Sequence, residues 1–211
     1  MTPTTIKITL KSAATFGRGD GVPGLVDREI EHDANGFPFL RGKTLKGLLA
    51  ESAENVVYSL SKFASNKEEW KEAKKQLFGE GGRGLEERGS LHIGDAQLPA
   101  DLREAAKDWS KEDVLYSLTG IRRQTAINAE GGPDHATLRS MRVLLPGITL
   151  EAPIHFDVPP SERQLQLLTA AVLDFRRAGT GRNRGRGWLK AELAGGADMK
   201  ALFESLKEAI Q

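Results

Sequence analysis

The residues with the clearest chemical signature form the stretch GTGRNRGRGWL, which runs from Gly179 to Leu189 and holds four glycines, three arginines and no carboxylate. A cluster of glycines indicates an unusual backbone conformation, or a close approach that a side chain would block. Successive backbone amides and guanidinium groups bind phosphate oxygens. We therefore predict that this glycine-rich loop, residues 179–187, binds the phosphates of RNA. The predicted contacts are Gly181, Arg182, Arg184 and Arg186.

Two other interpretations of the glycine-rich loop are weaker. A solvated turn whose arginines only keep it soluble would not explain why four glycines occur together. Binding of a nucleotide in the Walker manner is disfavoured, because the lysine and hydroxyl residue that should follow the final glycine are missing. RNA remains the favoured ligand.

A second cationic segment, FPFLRGKTLKG, precedes a stretch with helical spacing of its apolar residues. Thr44 is predicted to cap that helix, and Arg41, Lys43 and Lys46 would then lie at or beside its N-terminus. Backbone amides and cations together favour an anion there, so these residues are predicted to contact an RNA backbone. A capped helix with exposed lysines is the alternative interpretation.

The composition is that of an ordinary globular protein, with 211 residues of which 39% are hydrophobic and 28% are charged. We predict a single domain over residues 1–211. Because the formal net charge is only +1, affinity for a polyanion must come from locally gathered charge. The chain has no cysteine, which excludes disulfides and thiolate metal sites. With no apolar run of membrane length, we expect a cytoplasmic protein that makes no membrane contact.

The elements that must position these segments follow from periodicity. We predict strands over 5–10, 90–98, 148–158 and around Leu189, and helices over 44–60, 67–78, 100–109, from the capping box of Ser161 and Gln164, and over 199–210. This order predicts an α+β fold with a ferredoxin-like or RRM-like core (βαββαβ). Long insertions are expected to form a thumb-like hairpin, about residues 114–145, and a lid region.

Three stretches resemble the RAMP superfamily, and most closely the backbone subunit of type III CRISPR effector complexes. They are GVPGLVDREIEHDANGFPFLRGKTLKGLLAESAE, TGIRRQTAINAEGGPDHATLRSMRVLLPGITLEAPIHFD and the glycine-rich loop. The resemblance implies a subunit that binds CRISPR RNA (crRNA) and target RNA, beside other effector subunits and copies of itself or related subunits in a filament. It also implies that Arg122, Arg123, Arg139 and Arg142 line a thumb that follows the RNA backbone.

The same resemblance points to Asp27 as the catalytic residue, because family members place an aspartate six residues before a second one, as Asp27 and Asp33 are placed here. It implies metal-dependent cleavage of the target RNA, with Asp27 holding a divalent cation, expected to be Mg²⁺. A carboxylate could instead take the proton of a ribose 2′-hydroxyl. Asp33 is interpreted as a turn residue ahead of Asn35 and Gly36, and Asp20 is a second candidate.

Three alternatives stay open at the level of sequence. The chain could be a scaffold subunit without chemistry, or a crRNA-processing endoribonuclease of the same superfamily with His32 as its base. His92 and His155 are expected to be packed or half-buried in strands, while His32 and His135 lie in loops and could contact RNA. A generic RNA-binding module is disfavoured, because only 6% of the residues are aromatic and few bases could be stacked.

Overall fold

The computed structural model describes residues 2–62, 66–80, 88–127, 129–132, 134, 137–196 and 198–208. Its central sheet has four strands, namely β1 (Thr5–Leu10), β2 (Leu91–Ile93), β5 (Thr149–Phe156) and β6 (Leu189–Ala194). They are antiparallel and lie in the order β2-β5-β1-β6. A smaller sheet pairs β3 (Thr119–Gln124) with β4 (Arg139–Leu144).

Helices α1 (Gly42–Leu60) and α5 (Glu162–Asp174) are the two core helices. The connection β1-α1-β2-β5-α5-β6, with the strand order above, is the ferredoxin-like arrangement, so the predicted fold class is confirmed. Four further helices complete the described part of the chain. They are α2 (Lys67–Phe78), α3 (Ala100–Ala105), α4 (Lys111–Leu118) and α6 (Met199–Glu208).

The hydrophobic core lies between the central sheet and its helices. Alternate residues of β1, namely Ile6, Ile8 and Leu10, are fully buried, and they belong to one cluster with Leu45 and Leu49 of α1. This alternation leaves the opposite face of the sheet to charged and polar side chains.

The start of α1 differs from the prediction. Thr44 does not cap it: the helix begins at Gly42, whose amide donates to Asp95 Oδ1 at 2.7 Å. Gly42 is buried so tightly that a Cβ atom would lie 2.2 Å from the carbonyl oxygen of Ile93. A carboxylate 53 residues away in the sequence therefore does the capping, which no local pattern could indicate.

Other predicted boundaries hold or move by a few residues. The capping box of Ser161 and Gln164 is present, and the helix predicted over 67–78 has those bounds. Residues 114–118 of the predicted thumb belong to α4, which begins after Ser110 because that side chain accepts from the Asp113 amide at 3.1 Å. The end of the predicted last helix, residues 209–210, lies outside the described residues, as do parts of the predicted thumb.

Candidate nucleic-acid interface

The loop that holds Asp27 runs alongside strand β4. The amide of Asp27 donates to the carbonyl of Ser140 at 3.0 Å, and the amide of Arg142 donates to the carbonyl of Arg28 at 2.9 Å. A parallel bridge joins Arg28 to Met141. The loop that holds Asp27, which we call the Asp27 loop, is thus fixed to the hairpin of β3 and β4.

A buried ion pair reinforces that attachment. Arg142 Nε donates to Glu29 Oε1 at 2.8 Å, and the exposed fractions of the two residues are 9% and 2%. Arg142 Nη1 also donates to Thr119 Oγ1 at 3.1 Å, at the start of β3. The guanidinium predicted to line the thumb is therefore engaged inside the protein, where it joins the loop, β3 and β4.

Asp27 itself is exposed, and Ser140 holds one side of its carboxylate. The Ser140 amide donates to Asp27 Oδ2 at 2.6 Å and the Ser140 hydroxyl donates to the same oxygen at 3.0 Å. These bonds hold the pKa of Asp27 below its ordinary value, and the bond from the backbone amide has the larger effect. The positive charge of Arg139 lowers the pKa further. Among the described residues, Oδ1 has no hydrogen-bond partner. One carboxylate oxygen is therefore available to a ligand.

Asp33 and Asp20, the other two aspartates considered in the sequence analysis, are bound by neighbouring residues of the chain. Asp33 Oδ1 accepts from the amides of Asn35 at 2.9 Å and Phe37 at 3.0 Å, which confirms its interpretation as a turn residue. Asp20 pairs with Arg18 within its own loop.

The glycine-rich loop has the backbone conformation that its composition predicts. Its four glycines all have positive φ, and a short 3-10 turn, Arg182–Arg184, lies between Gly181 and Gly185. At Gly187 a Cβ atom would lie 1.8 Å from the carbonyl oxygen of Ala178. The loop is also tied to the segment after β1, since the amide of Thr180 donates to the carbonyl of Thr15 at 2.9 Å. The backbone that carries the arginines is therefore held in one conformation.

The three arginines of the loop have different surroundings. Arg186 is buried and donates to Gln124 Oε1 and to Met141 Sδ, so it joins the loop to the hairpin. Burial lowers the pKa of Arg186, and the charges of Arg122 and Arg184 lower it further. Arg182 binds Glu51 of α1 at 2.9 Å. Arg184 is exposed and has no carboxylate partner in the part of the chain that the structure describes.

Three adjoining clefts form what we call the arginine groove. The central cleft, of about 440 Å³, lies between the glycine-rich loop, the hairpin and the Asp27 loop. Its charged and polar lining includes Asp27, Arg28, Gln124, Arg139, Ser140, Arg182, Asn183, Arg184 and Arg186. A second cleft, of about 280 Å³, shares the glycine-rich loop with the central cleft and extends to α1. A third cleft, of about 650 Å³, shares Asp27 and Ser140 with the central cleft and extends along the hairpin.

The structure brings most, though not all, of the predicted contacts to this groove. Those that line it are Asp27, Arg41, Arg123, Arg139, Gly181, Arg182, Arg184 and Arg186. Arg41 also forms an ion pair with Glu31 at 2.8 Å. Arg122 is exposed on the hairpin, on the strand that carries Arg123, and Lys43 is exposed in the first turn of α1.

Two predicted contacts lie elsewhere and are engaged within the protein. Lys46 Nζ donates to the carbonyl of Leu91 at 2.7 Å, and burial lowers its pKa. Arg142 forms the buried pair with Glu29. Neither side chain lines any of the three clefts.

Few side chains in the described part of the chain are placed to hold a metal ion. No cluster of three or more His, Asp or Glu side chains suited to a metal occurs in the described ranges. Asp27 offers a single carboxylate with one unpartnered oxygen, which suits a cation that keeps several waters and takes other ligands from phosphate, as Mg²⁺ does. The residues therefore fit a magnesium ion shared with RNA and do not fit an ion enclosed by protein.

None of the three histidines in the described part of the chain lines the three clefts. His32 Nδ1 contacts the carbonyl oxygen of Asp33 at 2.9 Å. His92 and His155 lie in strands, as expected, and are paired across β2 and β5. Both are on exposed positions and neither is packed, and His92 Nε2 lies 2.7 Å from Asp157 Oδ2. Both project from the face of the sheet opposite the one that packs against α1 and α5. His135 lies outside the described residues.

Sequence reasoning missed the residues that assemble the groove. Ser140, Glu29 and Gln124 fix the Asp27 loop and Arg186 to the hairpin, yet each is an unremarkable polar residue of its local sequence. The available signal was indirect: Ser140 lies between Arg139 and Arg142 in a stretch already singled out for its charge.

Comparison with known proteins gives one family and a set of similar folds. The RAMP superfamily profile matches residues 7–190, and no curated protein sequence gives a significant match. A chain of the type III-B Cmr-beta apo state, solved by cryo-EM, has a TM-score of 0.64 and 11% identity, covering 93% of this chain and 98% of that one. A chain of Cmr-beta bound to cognate target RNA has a TM-score of 0.65 and 11% identity, covering 96% and 99%. At this identity the likeness establishes the fold alone.

No helix in the described part of the chain is long and apolar enough to cross a membrane.

Proposed function

The chain belongs to the RAMP superfamily, and we propose that it is a subunit of a type III CRISPR effector complex that binds crRNA and cleaves the target RNA paired with it. The observation that carries this proposal is the arginine groove. Three segments that are far apart in the sequence meet there and place one exposed carboxylate among cations. Similar folds occur in Cmr-beta structures, one of them bound to cognate target RNA.

The cations suit the backbone of a nucleic acid. Arg139 and Arg184 line the central cleft and Arg123 lines the third, and none of these has a carboxylate partner among the described residues. Guanidinium groups that form no ion pair within the protein bind phosphate oxygens with two parallel hydrogen bonds and displace counterions. Lys46 and Arg142 are not included in the proposed interface, because their charges are engaged within the protein.

The glycine-rich loop adds backbone donors to these charges. Positive φ at each of its glycines turns successive amides in directions that side-chain-bearing residues disfavour, and such turns form concave anion sites. Sequence would be read by base pairing between guide and target, while the protein holds the backbone. The hairpin of β3 and β4 is the proposed thumb that lies against the paired strands.

We assign the cleavage step to Asp27. Its depressed pKa keeps the carboxylate ionised at neutral pH, whereas an efficient general base has a pKa near the working pH. The low pKa, together with a carboxylate oxygen that has no partner among the described residues, therefore favours a role in binding a cation over a role in taking a proton. Mg²⁺, when bound, would neutralise charge on the scissile phosphate. Asp27 Oδ1 would hold it, while Ser140 keeps Oδ2 and the side chain in place.

One observation favours a second candidate function, a scaffold subunit without chemistry. Asp27 also acts as a structural connector, because both its amide and its carboxylate bond Ser140. In a scaffold the same groove would hold crRNA, and the carboxylate would serve the loop alone. Cleavage of target RNA by an Asp27 variant separates the two candidates.

The proposed partners follow from the same assignment. The three clefts adjoin one another along the loop, the hairpin and α1, which suits an extended strand of RNA. Other effector subunits and further copies of this or a related chain would bind adjacent parts of the guide in a filament. We place this assembly in the cytoplasm, where crRNA and invading transcripts meet.

Salt-dependent binding of single-stranded RNA tests the groove. We expect the double variant Arg139→Ala/Arg184→Ala to bind a fluorescent RNA more weakly than wild type. The slope of log K against log salt should become shallower by about 0.7 for each phosphate that the variant no longer neutralises. The matched control is Lys67→Ala/Lys200→Ala, which removes the same charge from exposed positions outside the groove. Equal slopes for both double variants would refute the proposed interface.

A further inference from the structure

Trp188 immediately follows the glycine-rich loop and leaves its indole in solvent. Its exposed fraction is 57%, whereas the next residue, Leu189, is 2% exposed and faces the helices. Because side chains alternate along a strand, Trp188 lies on the face of the central sheet opposite the one that packs against α1 and α5. A large aromatic side chain at this position contributes nothing to the core.

The backbone of Trp188 is nevertheless firmly held. Its amide donates to Ser12 Oγ at 2.9 Å, and its carbonyl accepts from the amide of Lys11 at 2.7 Å. On the other side an antiparallel bridge joins it to Arg177. The indole is therefore presented from a fixed position, which lowers the entropy cost when a ligand binds it.

The two residues that flank Trp188 across the sheet are both cations. Arg177 opposes it through the bridge, and Lys11 opposes it by continuation of the register that pairs Leu10 with Leu189. Cross-strand partners share one face of a sheet. Both cations are exposed, and neither pairs with a carboxylate among the described residues. The sheet thus presents an aromatic ring between two positive charges.

The other two tryptophans do not have these surroundings. Trp70 is fully buried, its Nε1 donates to Asn66 Oδ1, and the guanidinium of Arg163 lies 4.4 Å above its ring. Trp109 is 53% exposed in the turn after α3, where its amide donates to the carbonyl of Ala106. Within the described ranges no cation covers the ring of Trp188, so a planar ligand can approach it.

We propose that Trp188 is a stacking platform for one unpaired base of the RNA, with Arg177 and Lys11 binding the adjacent phosphates. Bases stack on exposed aromatic rings with little regard to sequence, and flanking cations bind the backbone. A docked protein would instead favour an apolar rim, and here the further neighbours on the strand are Lys190 and Glu192. This inference rests on the proposed function, because the glycine-rich loop would lead the RNA from the groove to the ring.

The experiment measures anisotropy of fluorescein-labelled oligouridine bound to the full chain at several salt concentrations. We expect Trp188→Leu to bind about 10-fold more weakly than wild type, since one stacked base contributes on that scale. Trp188→Phe should retain most of the affinity, because it keeps a ring. The slope with salt should not change in either variant, because every phosphate-binding cation is still present. Trp109→Leu is the matched control and should bind as wild type does.

A second probe, the same oligonucleotide with abasic ribose in place of uridine, isolates the ring. Wild type and Trp188→Leu should bind it equally, since no base is left to stack. An equal loss of affinity on both probes, or no loss on oligouridine, would overturn the platform while leaving the groove intact. A change in sedimentation of the free Trp188→Leu chain would show that the ring packs against another copy, which also overturns it. Absence of salt-dependent binding by wild type would refute the proposed function and this inference together.

Discussion

Asp27 and Ser140 are 113 positions apart in the sequence, and two hydrogen bonds from Ser140 converge on one carboxylate oxygen of Asp27. The amide and the hydroxyl of a strand residue thereby set the direction of a side chain on a long loop. The consequence is an asymmetric carboxylate: Oδ2 accepts both bonds from Ser140, while Oδ1 has no hydrogen-bond partner among the described residues. The proposed binding of a cation depends on Oδ1.

Replacing Asp27 by Asn should abolish cleavage and leave RNA binding in place. The amide has the same shape and can still accept from Ser140, but it lacks the charge that a divalent cation needs. We expect cutting of target RNA by the assembled complex to fall about 100-fold or more, as when one electrostatic stabiliser of the transition state is removed. Asp20→Asn is the matched control, since Asp20 is exposed in the same loop and lines none of the three clefts. Cutting by Asp27→Asn at the wild-type rate on a denaturing gel would assign the chain to the scaffold alternative.

The same carboxylate makes stability depend on pH in a defined direction. The pKa of Asp27 is lower in the folded chain than its ordinary value, so the folded state binds a proton less readily than the unfolded state. The resulting stabilisation is complete above the unfolded pKa of about 3.9 and is lost as the pH falls through the folded value. The gap in Tm between wild type and Asp27→Ala should therefore narrow below about pH 4. A gap that is constant with pH would contradict this account of the Asp27–Ser140 contact.

The buried pair of Glu29 and Arg142 should be far more important for stability than a surface pair. Arg142→Met leaves the carboxylate of Glu29 buried without its partner, which costs about 3–5 kcal/mol in the free energy of unfolding. The exposed pair of Glu68 and Lys71 on α2 is the control, and Lys71→Met should cost less than about 1 kcal/mol. Denaturant unfolding measures both.

The double variant Glu29→Met/Arg142→Met sharpens that comparison. Replacing both buried charges by apolar groups removes the uncompensated carboxylate, so the double variant should be more stable than Arg142→Met alone. If Arg142→Met cost no more than Lys71→Met, the pair would not hold the Asp27 loop to the hairpin.

Periodicity predicted the core of this fold because the forces that form it are local and repetitive. The alternation in Thr5–Leu10 and the spacing in residues 67–78 report burial on one side of a strand or helix, and both elements have the expected bounds. The capping box of Ser161 was visible because both partners lie within one turn. The four glycines of the loop also signalled their positive φ from composition alone.

Contacts between distant segments could not be read in this way. The amide of Gly42 is capped by Asp95, and Lys46 turns to the carbonyl of Leu91 instead of the groove. Arg142 looks like its neighbour Arg139 in the sequence, yet one is buried against Glu29 and the other lines the central cleft. The difference depends on which face of β4 meets the Asp27 loop, and that is decided by tertiary packing.

Two glycines of the loop offer a final test, because they share a backbone conformation and differ in their surroundings. Gly185 has φ of 77° and open space within 4 Å of the position that a Cβ atom would take, while Gly187 has φ of 63° and a Cβ there would lie 1.8 Å from the carbonyl oxygen of Ala178. Gly185→Ala should therefore cost only the left-handed backbone, about 1–2 kcal/mol. Gly187→Ala adds a clash with main chain, which no rotamer can relieve, and it should be several kcal/mol less stable or fail to fold. Thermal unfolding ranks the two variants, and RNA binding by folded Gly185→Ala should stay within a few fold of wild type, since the arginines keep their places. Equal destabilisation by both substitutions would mean that the loop does not approach Ala178 as closely as the structure shows, and Arg184 would then not be presented from a fixed backbone.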